Sequence, residues 1–90
     1  MLYPFMTLDD ETEIVHSEIL KDGSVRVCVE TPDEKDCFHH MTIYLPDYRI
    51  SEVYNYTYEE FEKYFKIIRS SARMIMHFAA HGGFKNAPAI

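Results

Sequence analysis

The sequence predicts an α+β domain: an antiparallel meander of three strands, with a fourth as an option, and one long C-terminal helix packed on one face. Three observations carry this. A turn signal, Lys21-Asp22-Gly23, separates two strand-like runs. A third run, Cys37–Leu45, is rich in β-branched and aromatic residues and stops at Pro46-Asp47. From residue 57 onward the apolar spacing changes to steps of three and four, the period of a helix.

The first two strands are expected at Thr12–Leu20 and Ser24–Glu30. Loop length sets their register, and register sets which side chains are buried. A two-residue Asp22-Gly23 loop pairs Leu20 with Val25, Glu18 with Val27 and His16 with Val29, placing an acid and a histidine among valines. A three-residue loop with a left-handed Gly23 pairs Ile19 with Val25, Ser17 with Val27 and Val15 with Val29. Glu18 then opposes Arg26, and His16 opposes Cys28, on the other face. The second register is preferred because it groups apolar residues and keeps charges apart from them. After the polar connection at 31–36, Cys37–Leu45 is expected to bury His39, Met41, Ile43 and Leu45. Residues Tyr48–Tyr56 read as a short strand or a helical turn. Leu2–Leu8 reads as an edge strand or as a wrap around the helix.

Thr57-Tyr58-Glu59-Glu60 is a capping box, with Thr57 as N-cap and Glu60 reaching back from the third helical position. The helix should run through 57–82 and end at Gly82 or Gly83, with Phe84 folding onto the last turn. Its buried stripe is Phe61, Phe65, Ile68, Ala72, Ile75 and Ala79. One domain over residues 1–90 follows: an N-terminal segment 1–11 with a loose acidic turn at Asp9–Glu11, a meander over 12–45, the helix, and a loose tail at 85–90.

Apolar residues make up 47% and charged residues 27% of the 90 residues, ordinary for a globular domain. The net charge of −6 argues against nucleic acid as a partner, since that interaction depends on neutralising phosphates. The charge is unevenly placed. Residues 1–62 hold all fifteen acids against four Lys/Arg, net −11, whereas residues 63–90 hold five Lys/Arg and no acid, net +5. Two cysteines, Cys28 and Cys37, are too few for a disulfide framework. The apolar start lacks a basic leader and no run reaches membrane length, so no membrane association is expected. A cytoplasmic protein with reduced thiols is the expectation.

His77-Phe78-Ala79-Ala80-His81 places two histidines four apart on one helical face. Their neighbours are Lys63, Lys66, Ser70 and Arg73, which repel a cation, and Phe78 stands where zinc-protease helices carry a glutamate. A solvated face is therefore expected. A row of His16, Cys28 and His40 across adjacent strands is the alternative metal or thiol site, with Cys37 or water as a fourth ligand. Cys28 and His16 also form a nucleophile–base pair on paper, but no orienting residue or oxyanion site accompanies them. No catalytic residue, and no cofactor, is assigned.

The surfaces offer more. Six tyrosines fall within 44–64, and tyrosine favours recognition at low entropic cost. A binding surface is expected from Tyr44, Tyr48, Tyr54, Tyr56, Phe38 and Ile14. The uncovered face of the sheet, showing Ile14, Phe38, Tyr44, His16 and Cys28, is too apolar to stay wet, and a second subunit or the N-terminal segment is expected to cover it. The basic helix face, Lys63, Lys66, Arg69 and Arg73, is a second candidate surface.

The segment TLDDETEIVHSEILKDGSVRVCVETPDE, with YLPDYR and the closing HFAAHGGF, resembles small bacterial proteins of the Firmicutes type. That resemblance implies a fold and no activity. The order of three strands then a helix is similar in topology to HicB-type antitoxin domains, whose glycine-rich strand and DNA-binding tail have no counterpart here. The expected function is a non-enzymatic protein–protein interaction module, self-associating as a dimer. The alternatives are an antitoxin-like or regulatory protein that binds nucleic acid or masks a basic partner, and a small metal or thiol protein.

Overall fold

The computed structural model describes residues 1–35 and 37–88; the side chain of Cys37 lies outside the described part. Five strands and a helix follow one another: β1 (Leu2–Thr7), β2 (Glu13–Ser17), β3 (Val25–Asp33), β4 (Cys37–Leu45), β5 (Arg49–Tyr54) and α1 (Tyr58–Ala80), then a 3₁₀ turn at Phe84–Asn86. The strands form a single antiparallel sheet in sequence order. The α+β class holds, but the sheet has five strands rather than three or four. Leu2–Thr7 pairs with β2, and the ambiguous 48–56 segment contains β5.

Helix α1 begins as its local chemistry dictates. Thr57 Oγ1 accepts from the Glu60 amide at 3.1 Å, and Glu60 Oε1 accepts from the Thr57 amide at 2.9 Å. At the other end the Gly83 amide reaches back to the Phe78 carbonyl at 2.9 Å, Gly82 takes φ 74°, and the Phe84 ring packs 6.2 Å from Phe78. This is the six-to-one closure that favours glycine just past a helix.

The core lies between α1 and one sheet face. Val25, Val27, Val29, Met41, Ile43 and Leu45 are fully buried with Ile68, Ile75 and Ala79, and Phe61, Phe65 and Ala72 pack against them. Tyr64 joins this core from the helix. The expected valine face and helical stripe are both where the sequence put them.

The β2–β3 register is not. Ile14 opposes Val29, Val15 opposes Cys28 and His16 opposes Val27, so neither loop length considered above is correct. The cause is Ser17. Its Oγ accepts from the Arg26 amide at 2.9 Å, taking the place of a ladder bond, and β2 stops there. The remaining turn is closed by Leu20 N–H to Ser24 O at 2.8 Å and by Asp22 Oδ1, which accepts from both the Ser24 amide and hydroxyl. Ile14 and His16 therefore face the core and not the outer side.

A histidine opposite a valine is tolerated because β1 supplies a cover. The Tyr3 and Phe5 rings lie 5.6 and 6.5 Å from the His16 imidazole. A bulge between Pro4 and Met6 turns both Phe5 and Met6 toward the core. Nδ1 of His16 lies 2.9 Å from the Ser17 carbonyl, so it carries the proton, and the buried Nε2 is left without a partner.

Both segments expected to be loose make contacts in their described residues; 89–90 lie outside the described part. Asp10 is tied to α1, as described below. In the tail, the Pro88 carbonyl accepts from His77 Nε2 at 2.8 Å.

Candidate interaction surface

Strand alternation sorts the sheet residues into two sides. Opposed residues share a side, so the core partners Met41, Ile43 and Leu45 leave Phe38, His40, Thr42 and Tyr44 on the outer face. Pairing then adds Val15, Arg26, Cys28, Glu30 and Pro32, and from β5 Arg49, Glu52 and Tyr54.

The outer face is arranged by charge along the strands. One end carries Arg26 and Arg49, with the Arg49 guanidinium 4.3 Å above the Tyr44 ring. The middle row is Val15, Cys28, Thr42 and Glu52. The far end carries Glu13 directly opposite Glu30, with His40 next along the row. Like charges across a strand pair are unfavourable by some tenths of a kcal/mol. His40 is held from the β5 side: its Nδ1 lies 2.8 Å from Glu52 Oε1, and its ring stacks on Tyr54 at 5.1 Å.

Phe38 stands at this acidic end, 50% exposed. It separates two shallow clefts that share it and Glu30. One, of about 270 Å³, is lined by Cys28, His40 and Thr42; the other, of about 370 Å³, by Thr7, Glu11, Glu13 and Pro32. An exposed aromatic ring between carboxylates suits a cationic side chain, whose stem lies on the ring while its head meets the acids.

The expected six-residue binding surface is therefore divided. Phe38, Tyr44 and Tyr54 share the outer face. Ile14, Tyr48 and Tyr56 lie on the core side, with Tyr48 5.9 Å from Phe65 and Tyr56 5.3 Å from Tyr64. The His16–Cys28–His40 row does not form, because His16 lies on the opposite side of the sheet from Cys28 and His40. Among the described residues no group of three or more His, Cys, Asp or Glu is placed to hold a metal ion. Burial pushes the Cys28 thiol above its ordinary pKa, against a smaller downward pull from Thr42. A raised pKa leaves less of that thiol as thiolate at neutral pH.

His77 and His81 face each other, with rings 4.9 Å apart and His77 bonded to Pro88. On α1, Lys63, Lys66, Arg69 and Arg73 are exposed, with Lys63 Nζ 3.3 Å from Asp10 and Arg69 stacked 4.9 Å over Phe65.

Sequence reasoning missed a buried chain of hydroxyls. Tyr64 Oη donates to Asp10 Oδ2 at 2.6 Å, and Thr12 Oγ1 donates to Tyr64 Oη at 3.1 Å. Thr12 has one proton, so Thr31 must donate across the 2.6 Å contact between the two threonines. Tyr56 Oη then shares its proton between Thr31, at 2.9 Å, and the His39 carbonyl, at 3.1 Å. The bonds from Tyr64, foremost, and from Thr12 and Lys63 hold the Asp10 carboxyl well below its usual range, against an opposing push from burial. Burial pushes Tyr56 up to about 12. The five residues span positions 10 to 64, and no local pattern announces them.

Comparison with protein-family models, curated proteins and solved structures finds no match to this chain. No helix among the described residues is long and apolar enough to cross a membrane. The fold and surface chemistry define the class: a five-stranded open sheet backed by one helix, with an acidic, aromatic outer end.

Proposed function

We propose that this protein is a non-enzymatic interaction module that docks a basic segment of a protein partner on the outer face of its sheet. The observation that carries this is Phe38, half exposed between two clefts and flanked by Glu11, Glu13 and Glu30. A Lys or Arg stem laid on that ring would bring its charge to the opposed Glu13–Glu30 pair and remove a repulsion that the free protein carries. Binding is favoured over catalysis because the two groups that could form a thiol–imidazole pair, Cys28 and His16, lie on opposite sides of the sheet.

The test is titration of ¹⁵N-labelled protein with a short Lys/Arg-rich peptide. Shifts should concentrate at Glu13, Glu30, Phe38 and His40. Phe38→Ser or Glu30→Lys should abolish them, while Arg73→Glu on the helix should leave them in place. Shifts spread over every acidic residue, or retained in Phe38→Ser, would mean charge attraction without a site.

A further inference from the structure

Strand β5 is an edge, and all six of its residues are exposed. Five strands at about 4.8 Å spacing span roughly 20 Å, while a helix is about 10 Å across. Helix α1 crosses β2 and β3. On the helix side of β5, Ile50 and Val53 consequently stay 46% and 44% exposed. Tyr48, Phe61 and Phe65, only partly buried, extend the same apolar ledge. The other edge, β1, is guarded by Pro4, which has no N–H to offer.

Within β5 the register slips. Glu52 opposes Thr42, but Ile50 opposes Ile43, leaving Ser51 as an extra residue. In a regular strand, residues three apart face opposite sides. Here the bulge puts Arg49 and Glu52 on the same outer side, and Ile50 and Val53 together on the helix side. A bulge usually blunts an edge; this one also makes the edge self-complementary.

We propose that β5 is the seam of a homodimer, formed by two β5 strands pairing antiparallel about a two-fold axis between Ile50 and Ser51. In that register Arg49 meets Glu52 of the partner subunit on the outer side, and the contact is repeated by symmetry. On the helix side Val53 meets Tyr48 of the partner subunit, and the two apolar ledges join between the two helices. The side chains are already held in place on the outer side, Arg49 over Tyr44 and Glu52 against His40. The seam does not include Phe38, Glu13 or Glu30 and touches the docking face only through the Glu52–His40 contact.

Sedimentation equilibrium of the full chain tests this, with circular dichroism confirming the fold of each variant. The wild type should show a monomer–dimer equilibrium in the micromolar range. Arg49→Glu and Glu52→Arg each place two like-charge contacts in the seam and should raise the dimer Kd about tenfold, two contacts of a few-fold each. The double swap Arg49→Glu/Glu52→Arg should restore it to within about threefold, which loss of a merely structural contact would not do. Amide exchange along β5 should slow as protein concentration rises. A chain that stays monomeric at several hundred micromolar overturns the proposal. So does a dimer that neither single swap weakens, or one that only Phe38→Ser dissociates.

Discussion

Replacing Tyr64 by phenylalanine removes the middle of the hydroxyl chain and leaves its shape. Two hydrogen bonds go: the donation to Asp10 at 2.6 Å and the acceptance from Thr12 at 3.1 Å. The Thr12 side chain is fully buried, so its hydroxyl loses one partner in a place water does not reach. An unsatisfied buried hydroxyl costs about 1–3 kcal/mol, and a bond to a charged acceptor contributes about 1.5–3 kcal/mol. The Asp10 side chain is 37% exposed, so water replaces part of that second loss and the low end applies. Tyr64→Phe should therefore cost about 2–3 kcal/mol. Asp10→Asn alone should cost about 1–1.5 kcal/mol, because Thr12 keeps its bond to Tyr64. The two should not add: in the Tyr64→Phe background, Asp10→Asn should cost roughly 1 kcal/mol less than in the wild type. Urea unfolding followed by circular dichroism at pH 7 measures all four corners of the cycle.

The pH dependence gives the same argument a second readout. The folded carboxyl of Asp10 lies below its unfolded value near 3.8, so its contribution is complete above that value and drains as the pH falls toward the folded one. Stability should fall less between pH 4 and 2 in Tyr64→Phe than in the wild type. Additive costs in the cycle, or parallel acid limbs for the two proteins, would refute the existence of a connected chain.

Three further outcomes are expected. Tyr56, pushed up to about 12 by burial, should give an ionisation step well above the ordinary tyrosine value of 10 in an alkaline absorbance scan. Its neutral form supports the fold below the ordinary value of 10 and that support is lost as pH rises through 12, so Tyr56→Phe should remove both the late step and its share of alkaline unfolding. Gly83→Ala should destabilise by about 1–2 kcal/mol in chemical denaturation, since its φ is +101° and an added Cβ would meet the Tyr3 ring at 3.1 Å. His16→Leu should be neutral or stabilising by up to about 1 kcal/mol, because it removes a buried nitrogen without a partner; a loss above 1 kcal/mol would show that Nε2 has a function in the core.

What was legible in the sequence was what is local. The capping box, the glycine stop and the helical stripe each lie within a few residues of one another, and all three are in place. Strand β4 was legible because Pro46 ends it and because its two faces differ in character. The two segments left between alternatives, β1 and β5, were obscured by their bulges. In LYPFMT, Phe5 and Met6 both turn inward, and in RISEVY, Ile50 and Val53 share a side despite standing three apart. Each breaks the two-residue alternation that marks a strand.

The wrong register at Gly23 has the same origin. Excluding a histidine from the valine face is sound for a three-stranded sheet, in which β2 is an edge and nothing stands over His16. Adding β1 changes the sum. Tyr3 and Phe5 cover the imidazole, Ile14 moves inward to bury its side chain beside Val29, and the cost that remains is confined to one bare nitrogen. Burying an isoleucine side chain contributes roughly 1.5–3 kcal/mol, comparable with leaving one acceptor unpaired. The balance is then tipped by packing that no residue between 12 and 30 encodes. The same exchange shapes the surface. With Ile14 and His16 inside, the outer face carries its charged residues beside Phe38, Tyr44 and Tyr54. The exposed apolar area that called for a second subunit stands instead at the helix side of β5.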